Sequence, residues 1–254
     1  MSLVITQFQD AIARISLNRP EKKNSLNQAM YQALDDALKQ AIDDDSIKVI
    51  CLQSASADFT AGNDLADFAN LQKNTSLAST VGFMRTLMFC PKPVVAKVEG
   101  LAIGIGTTLL LHCDFVYAAE NAQFLLPFVN LALVPEYASS LLLPAVAGHR
   151  KAAQWLMLGE PFGAAEAQEH GIISQVLPSD SLQAEVDKLL HKLASKPRQA
   201  LMQTKALMKP DIDAVAEHMD AELDVFFEQL QSEAAKEAFA AFLEKRRPDP
   251  ARFN

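Results

Sequence analysis

Short apolar runs with the two-residue period of a β-strand alternate along this chain with stretches of helical period, and the last third reads as helix throughout. Val4-Ile5-Thr6 and Ala11-Ile12-Ala13-Arg14-Ile15-Ser16-Leu17 alternate apolar and polar residues on either side of Gln9-Asp10, which predicts a hairpin. From Asn27 to Ile42 the apolar positions Met30, Leu34, Ala37, Leu38 and Ala41 recur every three or four residues, predicting a helix closed by Asp43-Asp44-Asp45. Ile47–Leu52 reads as a buried strand. A loop over 54–64, a helical stretch to Phe89 and the break Pro91-Lys92-Pro93 lead to a strand at Val94–Val98. Strands are also predicted at Phe115–Ala118, Gln123–Leu125 and Gly171–Leu177. Such alternation predicts an α/β core.

The C-terminal third is predicted as helices at Leu182–Leu193 and Arg198–Met208 and one long helix at Ile212–Arg246. Along the last, Val215, Met219, Leu223, Phe226, Phe227, Leu230, Ala234, Ala238 and Phe242 form a stripe too extensive for one helix at the edge of a small domain. Core packing and an oligomer interface both account for it. The expected organisation is an α/β core over 1–195 and a helical subdomain over 196–254, without internal repeats or a low-complexity linker.

With 254 residues, half of them hydrophobic, the chain can bury a sizeable core. Lys and Arg number 23 against 31 Asp and Glu, a formal charge of −8, which argues against nucleic acid or an anionic membrane as partner. Basic contacts to an anionic ligand must therefore be local. No apolar run reaches the roughly 18–20 residues of a membrane span, and Met1–Phe8 lacks a basic segment followed by an apolar one. A soluble, cytoplasmic chain is expected. Cys51, Cys90 and Cys113 are odd in number and widely spaced, suggesting neither a disulfide framework nor a zinc site, and the five histidines show no metal spacing.

Two glycine-containing loops each follow a predicted strand: Phe59-Thr60-Ala61-Gly62-Asn63-Asp64-Leu65, and Glu99-Gly100-Leu101-Ala102-Ile103-Gly104-Ile105-Gly106-Thr107-Thr108. Small residues let a ligand approach backbone N–H groups, and a helix start aims several donors one way, a geometry suited to an oxyanion. Glycines at 100, 104 and 106 do not match the dinucleotide fingerprint G-x-G-x-x-G, so NAD is discounted. Either loop alone is equally a tight strand-to-helix turn.

An ordered set of motifs spanning nearly the whole chain resembles the crotonase, or enoyl-CoA hydratase/isomerase, superfamily. The set comprises Asn18-Arg19-Pro20 with Asn24-Ser25-Leu26, Ala61-Gly62-Asn63-Asp64-Leu65, Lys92-Pro93-Val94-Val95-Ala96 leading to Gly100–Gly106, and Cys113-Asp114. It continues through Pro127-Phe128 to Val134-Pro135-Glu136, Leu158-Gly159-Glu160-Pro161-Phe162, Ala165-Glu166-Ala167 to Gly171-Ile172, and Phe242-Leu-Glu-Lys-Arg246. The resemblance implies a spiral of β-β-α units with a helical C-terminal oligomerisation region, assembled as homotrimers or as hexamers of paired trimers. It implies a coenzyme A thioester as substrate, no tightly bound cofactor and no metal.

By the same resemblance, the backbone N–H groups of Asn63 and Ile105 form the oxyanion hole. Coenzyme A is expected near Lys22, Lys23, Ser25, Ala61, Gly62, Asp64 and Leu65, with Phe242 and Lys245 reaching it, in many relatives from a neighbouring subunit. Hydratases of this family use two glutamates, and the matching positions here are Thr108 and Phe128, neither able to move a proton as a carboxylate. Glu136 matches the isomerase base that carries a proton between carbons 2 and 4 of an enoyl-CoA. A 3-enoyl-CoA to 2-trans-enoyl-CoA isomerase is therefore the leading expectation. The alternatives are a hydratase or another crotonase reaction in which Tyr137, Glu99 or a water replaces the lost acids, and a non-catalytic acyl-CoA-binding subunit. Burial among Val134, Pro135, Tyr137 and Ala138 would raise the pKa of Glu136, and a helix N-terminus would lower it.

Overall fold

The computed structural model describes residues 2–67 and 77–253. Strands β1 (Val4–Gln9) and β2 (Ile12–Leu17) form the expected hairpin, joined by Asp10 and Ala11, both at positive φ as a two-residue turn between twisted strands requires. Parallel strands β3 (Val49–Ser54), β4 (Val94–Val98), β6 (Phe115–Ala119) and β9 (Gln175–Leu177) extend this into a six-stranded sheet of order β1-β2-β3-β4-β6-β9. Strands β5 (Leu101–Ile103), β7 (Gln123–Leu125) and β8 (Phe162–Gly163) form a second sheet of three. From β4 onward the chain steps between the two sheets, and this stepping is the α/β spiral. The last strand is shorter than the Gly171–Leu177 segment, whose first residues turn at Gly171 with φ +78.

Strand periodicity divides the core. Ile50, Leu52, Val94, Ala96 and Val98 face the main core, whereas Ile12, Val49, Cys51 and Val95 face the opposite side. On the main face lie α1 (Gln28–Asp43), whose cap Asn27 accepts from the Met30 N–H, and α2 (Ala78–Met88). The opposite face is covered by α7 (Ser179–Ala194) through Leu182, Val186, Leu190 and Leu193. The shorter helices α3 (Ile105–Thr108), α4 (Ser139–Ala147), α5 (His149–Ala153) and α6 (Ala164–Glu169) add Ile105, Leu143, Ala152 and Ala167 to the main core. The expected helical stretch before Phe89 is α2; residues 68–76 lie outside the described residues. The three cysteines are free thiols.

The single helix expected over 212–246 is instead two. After α8 (Arg198–Met208), α9 (Ile212–Leu230) ends at Gln231, and α10 (Glu233–Leu243) restarts from Ser232, whose hydroxyl accepts from the Ala235 N–H. A serine cap competes with helix continuation and offers the new helix an acceptor for an orphan donor. The break turns one stripe into two surfaces. Met219, Leu223, Phe226 and Leu230 join the main core, while Ala238 and Phe242 line a cavity, so the stripe serves the core without being one continuous face. No helix among the described residues is long and apolar enough to cross a membrane.

Candidate active site

Three chain segments are stitched together around the first glycine loop. Asn24, fully buried, donates through Nδ2 to Ser54 Oγ and the Asp58 carbonyl, both at 2.8 Å, and accepts the Arg19 N–H at 2.7 Å. Thr60 pairs with Ala102 in an isolated parallel bridge: its N–H donates to the Leu101 carbonyl, and its carbonyl accepts from Ile103. Leu26 pairs in the same way with Asn63. The two glycine loops, about 40 residues apart in the chain, are thereby held side by side. Side chains are excluded where they touch: Gly62 has φ +86, and a Cβ there would sit 2.6 Å from the Ile103 carbonyl oxygen.

This stitching engages the N–H groups around two positions and spares those two. Gly62 N–H donates to Thr60 Oγ1, Asp64 N–H to Leu26, Gly104 N–H to Leu125, and Thr107 N–H to Gly104. Asn63 and Ile105 donate to no acceptor among the described residues. Ile105 is the first residue of α3, where an N–H has no intrahelical partner. Both residues line a largely apolar cavity of about 380 Å³. Its walls are Leu125, Pro127, Phe128, Leu131 and Leu133, closed by Phe226 of α9 and by Ala238, Ala241 and Phe242 of α10, with Arg246 also on the lining. Two backbone donors unpaired among the described residues, on residues that line a largely apolar cavity, can stabilise an oxygen on which negative charge develops.

Glu136 lies in the turn before α4, 4% exposed, with Oε1 accepting from Thr108 Oγ1 at 2.6 Å. Burial pushes its carboxyl from 4.5 up to about 8; the Thr108 hydrogen bond opposes the rise, and the charge of Glu222 adds to it. The helix begins only at Ser139, so desolvation dominates over any dipole effect. Tyr137 and Ala138 both have positive φ, an unfavourable conformation for side-chain-bearing residues that the surroundings impose. Tyr137 is fully buried, its hydroxyl donates to the Met84 carbonyl at 2.7 Å, and its ring stacks on His112 with centroids 3.9 Å apart. Burial drives the His112 imidazole down to about 3, so the neutral ring donates its Nε2–H to the Tyr137 carbonyl at 2.9 Å. Glu136 is thus aimed by a turn fixed from two sides.

Of the residues expected at the site, Ala61, Gly62, Asn63, Leu65, Ile105 and Phe242 line the one cavity. Glu136 and Thr108 lie outside its lining, one helical turn beyond Ile105. Asn63 bridges the two regions: its Oδ1 accepts from the Tyr31 hydroxyl, and Tyr31 senses the charge of Glu136. Burial first, then that charge, raises the Tyr31 phenol. Asp64 lies beside the cavity, bonded to Arg19 Nη1 at 2.8 Å and to the Ala66 N–H, and the same Arg19 nitrogen donates to the Ser25 carbonyl at 2.9 Å. Lys22, Lys23 and Lys245 are exposed and do not line the cavity. Glu99 pairs with Lys97 at 2.9 Å. Sequence reasoning missed Tyr31, Arg246 and Glu222 as site residues; Tyr31 and Arg246 had only the signal of a polar residue beside apolar helical positions.

An α/β spiral that brings two backbone N–H groups, unpaired among the described residues, to one apolar cavity has the arrangement of a crotonase-type protein. A model of the enoyl-CoA hydratase/isomerase family matches residues 7–251. The 1,2-epoxyphenylacetyl-CoA isomerase of Escherichia coli (strain K12) is 34% identical over 98% of each chain. The 2,3-dehydroadipyl-CoA hydratase of the same organism is 33% identical, again over 98% of each. Among solved structures, an enoyl-CoA hydratase/isomerase from Pseudoalteromonas atlantica T6c superposes with a TM-score of 0.92 at 38% identity, covering 98% of this chain and 99% of that one. The chain belongs to the enoyl-CoA hydratase/isomerase family and has the crotonase fold.

Proposed function

We propose that the protein is an enoyl-CoA isomerase that moves the double bond of a 3-enoyl-CoA to the 2-trans position. The observation that carries this reading is Glu136, a buried acid of raised proton affinity held by Thr108 at the end of the helix that begins with Ile105. The positions that resemble the hydratase glutamates hold Thr108, which spends its hydroxyl on Glu136, and Phe128, which is cavity wall. One carboxylate suffices for a proton shift, whereas hydration also requires a group to place water.

Ionised Glu136 removes a proton from carbon 2. The charge passes to the thioester oxygen, which the Asn63 and Ile105 N–H groups stabilise, an effect of about 3–4 kcal/mol per donor in comparable sites. The carboxylic acid so formed returns the same proton at carbon 4 of the dienolate, and the enzyme is restored. In the free protein the Glu136 carboxyl is turned onto Thr108, and rotation toward the cavity accompanies substrate binding. A pKa of about 8 leaves roughly a tenth of the sites ionised at pH 7 and makes the ionised form a stronger base than an ordinary carboxylate.

Purified protein is expected to convert 3-enoyl-CoA to 2-trans-enoyl-CoA, and Glu136→Gln to retain acyl-CoA binding while turnover is lost. Unchanged turnover in that variant removes Glu136 from the mechanism. Hydration of crotonyl-CoA at a comparable rate would instead favour the hydratase reading. We also propose a homotrimer or a hexamer of paired trimers, in which the exposed Met157, Leu207 and Met208 would find cover; a monomeric or dimeric mass by light scattering refutes it.

A further inference from the structure

Glu222 of α9 is a second buried carboxyl behind the Glu136 turn, 7% exposed. Its Oε1 accepts both the Ser140 N–H at 2.8 Å and the Ser140 hydroxyl at 2.5 Å, four residues after Glu136. Ser140 Oγ also lies 2.8 Å from His218 Nε2, one turn back on α9, and that ring is partly open to solvent. Glu222 Oε2 is buried with no hydrogen-bond partner among the described residues. An unsatisfied buried carboxyl oxygen is costly, and turn-holding by Oε1 alone would be served as well by a glutamine. Glu222 nevertheless acts electrostatically on Glu136.

We propose that Glu222 is a positioning residue of the isomerase site: through both hydrogen bonds to Ser140 it clamps the turn that aims Glu136 and sets a second carboxyl behind it. This rests on Glu136 being the base proposed above. The groups facing Glu136 are Thr108 from α3, Tyr31 from α1 and Glu222 from α9. Glu222 itself faces Ser140 and His218, while the nearby Asp220 is engaged by Arg85 of α2 on the exposed side of α9. Thr108 and Glu222 therefore act on the base in opposite directions, one favouring release of its proton and the other retention.

The test is carbon-13 NMR of the Glu136 carboxyl across a pH titration, in wild type, Glu222→Gln and Glu222→Asp, with acyl-CoA binding reporting that each is folded. Glutamine keeps the acceptor and removes the charge, so the Glu136 midpoint should fall by at least about half a pH unit. The acid limb of kcat on 3-enoyl-CoA should move down with it. Aspartate keeps the charge, and its midpoint should stay within about 0.2 of wild type. An unmoved midpoint in Glu222→Gln, or an equal fall in Glu222→Asp, overturns the proposal. A midpoint that falls as expected in a protein with no isomerase turnover supports the role of Glu222 while refuting the reaction proposed above.

Discussion

Replacing Glu136 by glutamine should make the protein more stable at alkaline pH while abolishing its activity. The side chain is 4% exposed, and glutamine can still accept the Thr108 hydroxyl through its amide oxygen, so packing and hydrogen bonding survive. What changes is proton linkage. The folded carboxyl titrates at about 8 against 4.5 when solvated, so between these values the folded chain binds more protons than the unfolded one. Wild-type stability therefore falls as pH rises through that window and is level on either side. At 1.36 kcal/mol per pH unit the full fall is about 5 kcal/mol. Water drawn to the ionised carboxyl offsets part of it, which leaves about 2–5 kcal/mol. For a chain of this size that is roughly 5–15 °C in Tm. Urea or thermal unfolding of both proteins at intervals from about pH 5 to about pH 9 isolates the effect, since every other titrating group is common to both. The curves should coincide at the acid end and diverge in favour of the variant toward pH 8. A constant gap, or one that widens toward acid, refutes burial as the cause of the raised proton affinity.

Thr108→Val removes the hydrogen bond that favours ionised Glu136; the Glu136 pKa then rises, and the acid limb of kcat/KM moves to higher pH by about one unit. A limb that moves down, or stays, breaks the link between this hydroxyl and the base. Gly62→Ala places a methyl group 2.6 Å from the Ile103 carbonyl at a φ of +86, so it should displace the Asn63 N–H. Turnover is expected to drop about 100-fold or more, with a loss of roughly 2 kcal/mol in denaturant unfolding. Ser232→Ala uncaps α10 and should cost about 1 kcal/mol. Because α10 carries Ala238, Ala241 and Phe242 of the cavity, acyl-CoA affinity should weaken as well, as calorimetry would show.

Elements with strong periodicity were legible from residues alone: the hairpin, α1 and the strands β3, β4, β6 and β7 follow the apolar spacing closely, whereas β5 lies inside what reads as a glycine loop. The break at Gln231-Ser232 was not, because the stripe keeps its three-four spacing across it and only the Ser232 cap betrays the new start. The paired N–H donors depended on more than local pattern. Glycine loops mark where backbone can come close, but the choice of Asn63 and Ile105 as the spared donors depends on the Thr60–Ala102 and Leu26–Asn63 bridges, which join segments far apart in the chain.

Glu222 had a signal of its own. It falls three residues after Met219 and four before Phe226, on the buried side of α9, where a lone acid interrupts an otherwise apolar row. An acid so placed must be paired, neutral or functional, since an isolated buried charge is too costly to persist. Helical phase alone therefore nominates Glu222 for scrutiny, though it cannot name what the acid faces. Only the packing of α9 against the turn at Glu136 turns an anomaly of pattern into a pair of interacting carboxyls. The net charge of −8 carried no such information. The acids that matter for proton transfer are the few withdrawn from water, whose effect on one another is little screened, whereas that of the surface acids is.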